Sequence, residues 1–518
     1  MDLNSSLSIA TSGLEGTQYA LGVLSQNVSN ASTTGYVEEV ANLNSKDTTG
    51  TGSGVQIGLT TRNVNDALEA GLYTQNATVE ALTVKDNSLS AITALQGSTS
   101  SDSGSSATLS DELGNVSNAL TSLVSNPTDA TAQATVISDA ESLTSTVSTL
   151  SSAYQTQRQS AEDSIVTGVS SINTDLTTIG SISQQIMALK VQGASVADLE
   201  NQRASVMSDL SSKLSVTFTE TSKGDMLVKT DNGTQLPTEP DASSGIETPS
   251  STWPLSTESI TLSTASAYSA STSSTNGIPG IDLTINGTAT DITSSLTGGS
   301  LGANIDLRDN VYPKMQAQLD SFSYALANRF QSSGLALFTS SANSMTFSGG
   351  TTLASDGSIA TADSNTVTST NITGLSSTLQ VNPSFTDDTS LLAPDGSTTT
   401  VQKVLSTALG SASGDVSGDL AAPTSSGSIQ VGYSGASSLS SLATTLTSTQ
   451  AAVAATATSS LSTATSVQTS LSTKVSNVSG VNVDNEMSNM IALQNAYTAN
   501  AKVVTVVQTM WTALLDAV

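Results

Sequence analysis

Two pairs of acidic residues are the positions in this chain whose spacing could support chemistry. Asp387 and Asp388 are adjacent, and Asp484 and Glu486 lie two positions apart. Paired carboxylates can act as general acid and general base when their surroundings separate their pKa values. No apolar segment surrounds either pair, so we interpret all four as solvated loop acids. The sequence therefore predicts no catalytic carboxylate.

The chain has neither cysteine nor histidine among its 518 residues. This excludes disulfides, thiolate or imidazole metal ligands, and every nucleophile–histidine dyad. No stretch shows the Asp-rich alternation ending in Glu that a calcium loop needs. Glu200 and Arg203, three positions apart on a predicted helix, are interpreted as a solvated ion pair. We therefore expect a protein that is not an enzyme and carries no cofactor and no metal.

A large acidic excess narrows the range of partners. The chain has 43 Asp and Glu against 15 Lys and Arg, a net charge of −28. Nucleic acid and anionic membranes repel such a surface, so we expect no nucleic-acid partner. No run approaches the roughly 20 apolar residues of a membrane span, so we expect no membrane insertion. The N-terminal MDLNS lacks the features of a signal peptide, which predicts a cytoplasmic protein or export by another route.

The two ends of the chain share one repeat. Apolar and small residues recur there at alternating spacings of four and three, which places a seam on each of two helices. Such ends pack against each other or against copies of the same chain, so the repeat predicts an assembling subunit. The predicted assembly-interface residues are Leu3, Leu7, Ala10, Leu14, Leu21, Leu24, Val28, Met487, Met490, Tyr497, Ala501, Val504, Trp511, Leu515 and Val518.

Between these ends, long helical segments alternate with β-rich ones. The four-three repeat over 136–186 predicts a helical rod roughly 80 Å long, at about 1.5 Å per residue. Period-two patterns begin at Val216, and Asp-Asn-Gly at 231–233 and Asn-Gly at 286–287 predict hairpins. Residues 37–80 are expected to be extended. Further helices are predicted over 3–28, 109–123, 198–214, 311–330, 439–475 and 487–518.

These patterns predict a mainly α fold with β-rich insertions. The fold would be a nested multidomain arrangement of terminal coiled-coil helices, a long helical rod domain and an outer β lobe. A chain that leaves a rod, builds a lobe and returns has its termini together. The predicted domains are a terminal helical domain (1–45 and 476–518), a long-helix rod domain (46–215, 295–337 and 436–475), a β-rich outer lobe (216–294) and a Ser/Thr/Gly-rich β or irregular insertion (338–435).

Both ends of the chain resemble the bacterial flagellar axial proteins, the family of rod, hook and hook-associated subunits. Residues 28–36 (VSNASTTGY) are similar to the N-terminal signature of that family, and 486–504 (EMSNMIALQNAYTANAKVV) are similar to its C-terminal helix. Three internal blocks favour the hook-associated members that form the hook–filament junction. These blocks are 198–203 (DLENQR), 298–302 (GGSLG) and 479–486 (SGVNVDNE). Directly after the first block, Ala204 stands where those members usually have Asp.

The resemblance implies a structural subunit of the bacterial flagellum that joins hook to filament. It implies export through the flagellar type III apparatus and secretion to the hook–filament junction. The implied partners are copies of the chain itself in an axial ring, the hook protein, the next hook-associated protein, and an export chaperone on the C-terminal helix. The alternatives are another axial protein, such as the hook protein or hook-associated protein 3, and a secreted enzyme or adhesin carried on flagellar termini.

Overall fold

Helices dominate the fold and enclose the strands in the nested order that the sequence predicts. The computed structural model describes residues 3–33, 35–48, 51–97, 108–239, 252–269, 277–285, 287–342, 344–346, 352–353, 372–410, 419–421, 428–431 and 437–516. The mainly α fold class with β-rich insertions is confirmed. The helices are α1 (Leu3–Asn30), α2 (Asp66–Leu95), α3 (Leu109–Ser125), α4 (Ala130–Val191), α5 (Ala197–Lys213), α6 (Gly299–Asp306), α7 (Tyr312–Ser332), α8 (Leu375–Thr378), α9 (Pro383–Asp387), α10 (Thr399–Lys403), α11 (Leu439–Ser479) and α12 (Val483–Asp516).

The strands are short and form small sheets of two or three members. They are β1 (Glu39–Val40), β2 (Leu43–Thr48), β3 (Thr51–Ile57), β4 (Thr61–Arg62), β5 (Val216–Glu220), β6 (Met226–Thr230), β7 (Gln235–Leu236), β8 (Leu255–Ser256), β9 (Ala267–Tyr268), β10 (Gly277–Ile278), β11 (Asp282–Ile285), β12 (Thr288–Asp291), β13 (Phe338–Ser340), β14 (Met345–Thr346), β15 (Thr352–Leu353), β16 (Leu379–Val381), β17 (Asp419–Ala421) and β18 (Ser428–Gln430). The predicted hairpin at 231–233 joins the antiparallel strands β6 and β7. The second predicted hairpin joins β11 to β12, with Ile285 opposite Thr288.

The predicted rod is one continuous helix, α4, of 62 residues. At about 1.5 Å per residue it is roughly 93 Å long. It begins after Pro127, where the Asp129 side chain caps it by accepting from the Thr131 N–H at 2.9 Å. The buried residues recur at helical spacing along its whole length, so partners cover successive parts of one face.

Two hydrophobic cores lie along α4. The core at its N-terminal half joins α3, α7 and α11 with the segment around Leu379 and Val401. The core at its C-terminal half, centred on Ile165, Ile172 and Leu176, joins α5 with strands β5 to β7 and β11. One helix therefore connects the part of the chain near α5 to the part built from residues 338–408.

Two expected segments differ from the structure. Residues 37–80 were expected to be extended, but only the part up to Arg62 forms strands, because α2 begins at Asp66. The Asn65 side chain caps α2 by accepting from the Leu68 N–H at 3.1 Å. The buried residues of α2 are Tyr73, Ala77, Leu89 and Ile92, and none lies between Ala77 and Leu89, so its helical period is weak in the sequence. The expected β or irregular insertion 338–435 also contains helices, α9 and α10 among them.

The Gly-rich block at 298–302 forms the beginning of helix α6. Gly299 has a φ of +59°, and a Cβ there would lie 2.3 Å from the carbonyl carbon of Lys213. Glycine therefore allows the start of α6 to pass close to the end of α5. A π-helical turn over Leu307–Val311 then joins α6 to α7 without a break.

A buried charge cluster fixes that π turn to α4. Arg308 Nη1 lies 2.8 Å from Glu162 Oε2, and the exposed fractions of these two side chains are 0% and 1%. Arg308 Nε also pairs with Asp309 Oδ1 at 2.8 Å. Arg158 donates to the Arg308 carbonyl at 2.8 Å and to the Ser266 carbonyl at 2.6 Å. Burial lowers the pKa of Arg158 to about 10, and the four side chains together are neutral.

The close crossing of α4 by the segment after β7 depends on Gly180. A Cβ at this buried position would lie 1.8 Å from the Thr238 carbonyl oxygen. We expect Gly180→Ala to lower the free energy of unfolding by about 1–3 kcal/mol, because the backbone of Thr238 must move. Gly168→Ala is the matched control, since its Cβ would meet only Leu301 Cδ1 at 3.7 Å. It should stabilise the helix by about 0.5–1 kcal/mol, and equal midpoints of urea unfolding for both variants would contradict the expectation.

Among the residues that the structure describes, no helix is long and apolar enough to cross a membrane.

Candidate assembly interface

The two ends of the chain meet as an antiparallel helix pair, α1 against α12. Asn27 Nδ2 lies 3.4 Å from Glu486 Oε1. Gly13 faces the Asn500 side chain, which a Cβ would approach to 2.9 Å. The two contacts are 14 residues apart on each helix, so the pair keeps one register and Leu3 lies level with about Met510.

The inner seam of α12 follows the four-three spacing in a register that differs partly from the predicted one. Its members are the positions turned toward α1, and they include the most deeply covered side chains of the helix, Glu486 and Val507. The seam is Glu486, Met490, Leu493, Tyr497, Asn500, Val504, Val507 and Trp511. Met490, Tyr497, Val504 and Trp511 belong to the predicted seam as well. In place of Glu486 and Asn500 the predicted seam has the next residues, Met487 and Ala501, and it has no member beside Leu493 or Val507.

The predicted interface residues differ in how far this pair covers them. Trp511 and Leu515 remain exposed because they lie at or beyond the level at which the described part of α1 begins. Whether the exposed members contact another copy remains a prediction. Ala10 and Leu24 are buried; Leu7, Leu14, Leu21, Val28, Met490, Ala501 and Val504 are half-buried; Met487, Tyr497, Trp511 and Leu515 are exposed; Leu3 begins α1; and Val518 lies outside the described residues.

A second apolar seam runs along another face of α12, and we call it the outer seam. Its residues recur at spacings of four and three and are exposed, with Val503, Val506 and Met510 at 44%, 58% and 51%. The outer seam is Ala492, Ala496, Ala499, Val503, Val506, Met510 and Ala513. A helix with two apolar faces fits between two other helices, and α1 covers only one face of α12. The four-three spacing of the outer seam is visible in the sequence, but the more strongly apolar inner seam on the neighbouring face makes the outer seam hard to recognise.

A β hairpin covers a different side of α1. Strands β2 and β3 pack there, and Gly16 leaves room for the Val55 side chain, whose Cγ1 would lie 3.2 Å from a Cβ. The Ser12 hydroxyl accepts from the Val55 N–H at 3.1 Å. The Tyr19 and Thr60 hydroxyls lie 2.6 Å apart. These contacts orient α1 between the hairpin and α12.

A buried polar hub joins the helix pair to the rest of the chain. Asn27 Nδ2 donates to the Glu39 carbonyl at 2.9 Å, and the Glu39 N–H donates back to Asn27 Oδ1 at 3.0 Å. Asn201, on α5, donates to Glu39 Oε1 at 2.9 Å and accepts from Arg62 Nε at 2.8 Å. The backbone of Glu38 donates to the Ser479 carbonyl at 2.9 Å. The hub thus connects α1, α5, α11 and the strands β1 and β4.

The surroundings of two carboxyl groups, one in the hub and one beside it, disfavour their ionised form. Burial raises the pKa of Glu39 to about 7, and the nearby Asp198 carboxylate adds to the rise. Burial also raises the pKa of Glu486, with Glu38 as the next cause. Arg62 lowers the pKa of Glu39 by its charge, but the guanidinium is engaged with Glu69 at 3.4 Å.

These shifts predict that the terminal helices are held less firmly as the pH rises. The folded hub binds more protons than the opened hub between pH 4.5 and about 7, so its free energy of opening falls across that window. Glu39→Gln keeps an acceptor for Asn201 and removes the titration. We expect the ratio of proteolysis rates at the helix pair, wild type over variant, to rise from pH 5 to pH 8. A ratio that stays constant would contradict the role of Glu39.

The acidic pairs named from the sequence do not form a catalytic arrangement. Asp387 and Asp388 are exposed, and Asp388 accepts from the Ser390 N–H at 3.0 Å as a turn cap. Asp484 is exposed, whereas Glu486 is buried and therefore is not a solvated loop acid. Among the described residues, no group of three or more Asp and Glu side chains is placed to hold a metal ion.

The interpretation of Glu200 and Arg203 as a solvated pair is wrong. Arg203 is buried and pairs with Glu220 at 2.6 Å, and it also donates to the Gly224 carbonyl at 2.7 Å. Glu200 pairs instead with Lys190 at 3.3 Å. Arg203 therefore fixes the turn between β5 and β6 to α5, a contact that sequence spacing could not reveal.

Two segments of the chain match models of known protein families. Residues 98–337 match the flagellar hook-associated protein FlgK helical domain. Residues 474–517 match the flagellar basal body rod FlgEFG protein C-terminal domain, the segment that contains α12. The chain therefore combines a region similar to the FlgK helical domain with a C-terminal segment similar to that of the basal body rod proteins. The FlgK helical domain corresponds here to α3 through α7 together with strands β5 to β12.

A solved FlgK structure is similar to part of the chain. The flagellar hook junction protein FlgK from Burkholderia pseudomallei is 20% identical, with a TM-score of 0.41, and the match covers 53% of this chain and 47% of that one. The chain thus aligns with about half the length of the FlgK protein it matches. No curated protein matches the chain significantly.

Proposed function

We propose that the protein is a non-enzymatic structural subunit that joins the hook to the filament of a bacterial flagellum. The observation that carries this proposal is the exposed outer seam of α12. Its seven positions run from Ala492 to Ala513, about 32 Å of helix at about 1.5 Å per residue. A continuous apolar strip of that length on a soluble chain marks an interaction surface.

The arrangement of the surfaces favours a ring or tube rather than an isolated dimer. The outer seam lies on α12, whereas α1 offers a different ridge, the half-buried Leu7, Leu14, Leu21 and Val28 at intervals of seven. A contact between two unlike surfaces is heterologous, and its repetition generates rings or helical assemblies. Copies of the chain would therefore pack side by side through their terminal helices. Hook protein would lie on one side of this ring, and the next hook-associated protein on the other.

Export would precede assembly, and we propose that it uses the flagellar type III apparatus. Before α12 pairs with α1 and with other copies, both of its apolar seams would be exposed in the cytoplasm, where an export chaperone could cover them. Val504, Trp511 and Leu515 are the anchors we propose for that chaperone. A chain lacking residues 485–518 should fail to capture the chaperone in a pull-down, and undiminished capture would reject this assignment.

The long helices favour a junction protein over the hook protein itself. The outer part of the hook protein is expected to be mainly β, whereas α4 alone has 62 residues here and α11 has 41. Electron microscopy of flagella from a strain lacking this protein tests the proposal. Hooks without filaments are the expected result, and complementation with the intact chain should restore the filaments. Normal filaments on the deletion strain would refute the proposed function.

A further inference from the structure

A small groove runs beside the helix pair formed by α1 and α12. It lies between α1, α12 and the strand β1, has a volume of about 280 Å³, and is lined by apolar side chains that include Val23, Leu24 and Leu493. That volume is at or below the roughly 300–1,000 Å³ typical of small-molecule pockets, so the groove suits an inserted side chain.

Three carboxylates line the same groove without a cation to pair with. Glu38 accepts from Asn63 Nδ2 at 3.0 Å, Glu39 from Asn201 Nδ2 at 2.9 Å and Glu486 from Asn27 Nδ2 at 3.4 Å. All three donors are neutral amides. The ion pairs found among the described residues include none of these glutamates. Among the described residues, only Arg62 acts on one of them, Glu39, by its charge, so a positive charge entering the groove would gain attraction that is largely unsatisfied.

Lys502 is the complementary side chain. It is exposed on α12, and within the part of the chain that the structure describes it belongs to no ion pair. Ala499 and Val506 of the outer seam lie one turn away on either side. Lys502 is 16 residues from Glu486 on the same helix, about 24 Å, so it cannot reach the groove of its own chain.

We propose that Lys502 of one copy inserts into the groove of the neighbouring copy, where Glu38, Glu39 and Glu486 surround its ammonium group. This inference rests on the proposed function and adds the register of the contact. The outer seam of the inserting copy would lie along the groove, with Val506 and Ala499 against its apolar walls. Neighbouring copies would be offset by about 24 Å along the helix axis, the distance between Lys502 and Glu486 on one helix.

Charge reversal tests the contact in assembled flagella. Lys502→Glu should reduce the amount of this protein in purified flagella by about tenfold or more, because it places a fourth acid in the groove. Glu38→Lys should have a similar effect, and the double variant Glu38→Lys with Lys502→Glu should restore incorporation. Lys474→Glu, the same change at an exposed lysine of α11, should have no effect. Circular dichroism of each purified variant should match the wild type.

Thiol cross-linking supplies the second measurement, and the cysteine-free chain gives it no background. Glu38→Cys with Lys502→Cys should become linked between copies when flagella are treated with a short bis-maleimide, which spans the space that the two side chains fill and that is too wide for a direct disulfide. Glu38→Cys with Asn495→Cys, about 10 Å away along α12, should not. Wild-type incorporation of Lys502→Glu, or linking in the control pair alone, would overturn this inference and leave the proposed function standing. Absence of the wild-type protein from flagella would overturn both.

Discussion

Arg308→Met should lower the free energy of unfolding by about 3–5 kcal/mol, a large loss for one substitution. Methionine fills much of the space but leaves Glu162 ionised and fully buried, with its hydrogen-bond partner at 2.8 Å gone. Asp309 loses its partner as well. The π turn that Arg308 holds against α4 should loosen. The midpoint of urea unfolding, followed by circular dichroism, measures the loss.

Acid should partly restore this variant. Burial already raises the pKa of Glu162, and the loss of the guanidinium raises it further. The folded state then holds a proton that the unfolded chain releases, so the stability of the variant should increase as the pH falls. The double variant Arg308→Met with Glu162→Gln should be more stable than Arg308→Met alone, because no unpaired charge remains at position 162. A single variant as stable as the wild type at pH 7.5 would contradict the role of the pair.

Val506→Asp and Val507→Asp should separate assembly from folding, although the residues are adjacent. Val506 lies on the outer seam and is 58% exposed, whereas Val507 faces α1 and is 6% exposed. A charge at 506 should cost almost nothing in the monomer and several kcal/mol, about 3–5, once a neighbour covers it. Both variants should abolish junction assembly and motility, and only Val507→Asp should also free the helix pair in the monomer.

Limited proteolysis of the two purified variants provides the discriminating measurement. Val506→Asp should be cleaved in α1 and α12 at the wild-type rate, and Val507→Asp should be cleaved much faster at both helices. Thr509→Asp is the control, since it adds the same charge at an exposed position outside both seams. Normal motility with Val506→Asp would refute the outer seam as a site of assembly.

Local patterns predicted most elements of this fold. The repeat over 136–186 predicted α4 because one face of that helix is buried along its whole length. The helices predicted over 109–123 and 439–475 correspond to α3 and α11, which end just before Pro127 and Gly480, two residue types that interrupt helices. The start of α2 was missed because only Tyr73 and Ala77 are buried in the first half of the helix.

The candidate site was predictable only as a region. A four-three repeat indicates a seam, but a helix with two apolar faces offers several registers, and only packing against α1 selects Leu493 and Val507 over their neighbours. The hub joins Asn27, Glu39 and Asn201 across more than 160 positions. No spacing rule relates residues so far apart. The burial that raises the pKa of Glu39 exists only once α1, α5 and α12 have met.

The single long helix α4 has a mechanical consequence. Just past its C-terminal end, Ser195 donates to the Thr60 carbonyl at 3.4 Å near the hub, and its N-terminal end lies beneath the segment at Thr389, which donates to Gln133 at 3.1 Å. The helix has no break along its roughly 93 Å, and two cores pack against it over its length, so the rod that it forms resists bending. A load on the distal end is therefore transmitted toward the hub with little deformation of the rod itself. We therefore expect the flexibility of an assembled ring to come from the short non-helical connections near the hub, including the Gly480–Asn482 link between α11 and α12.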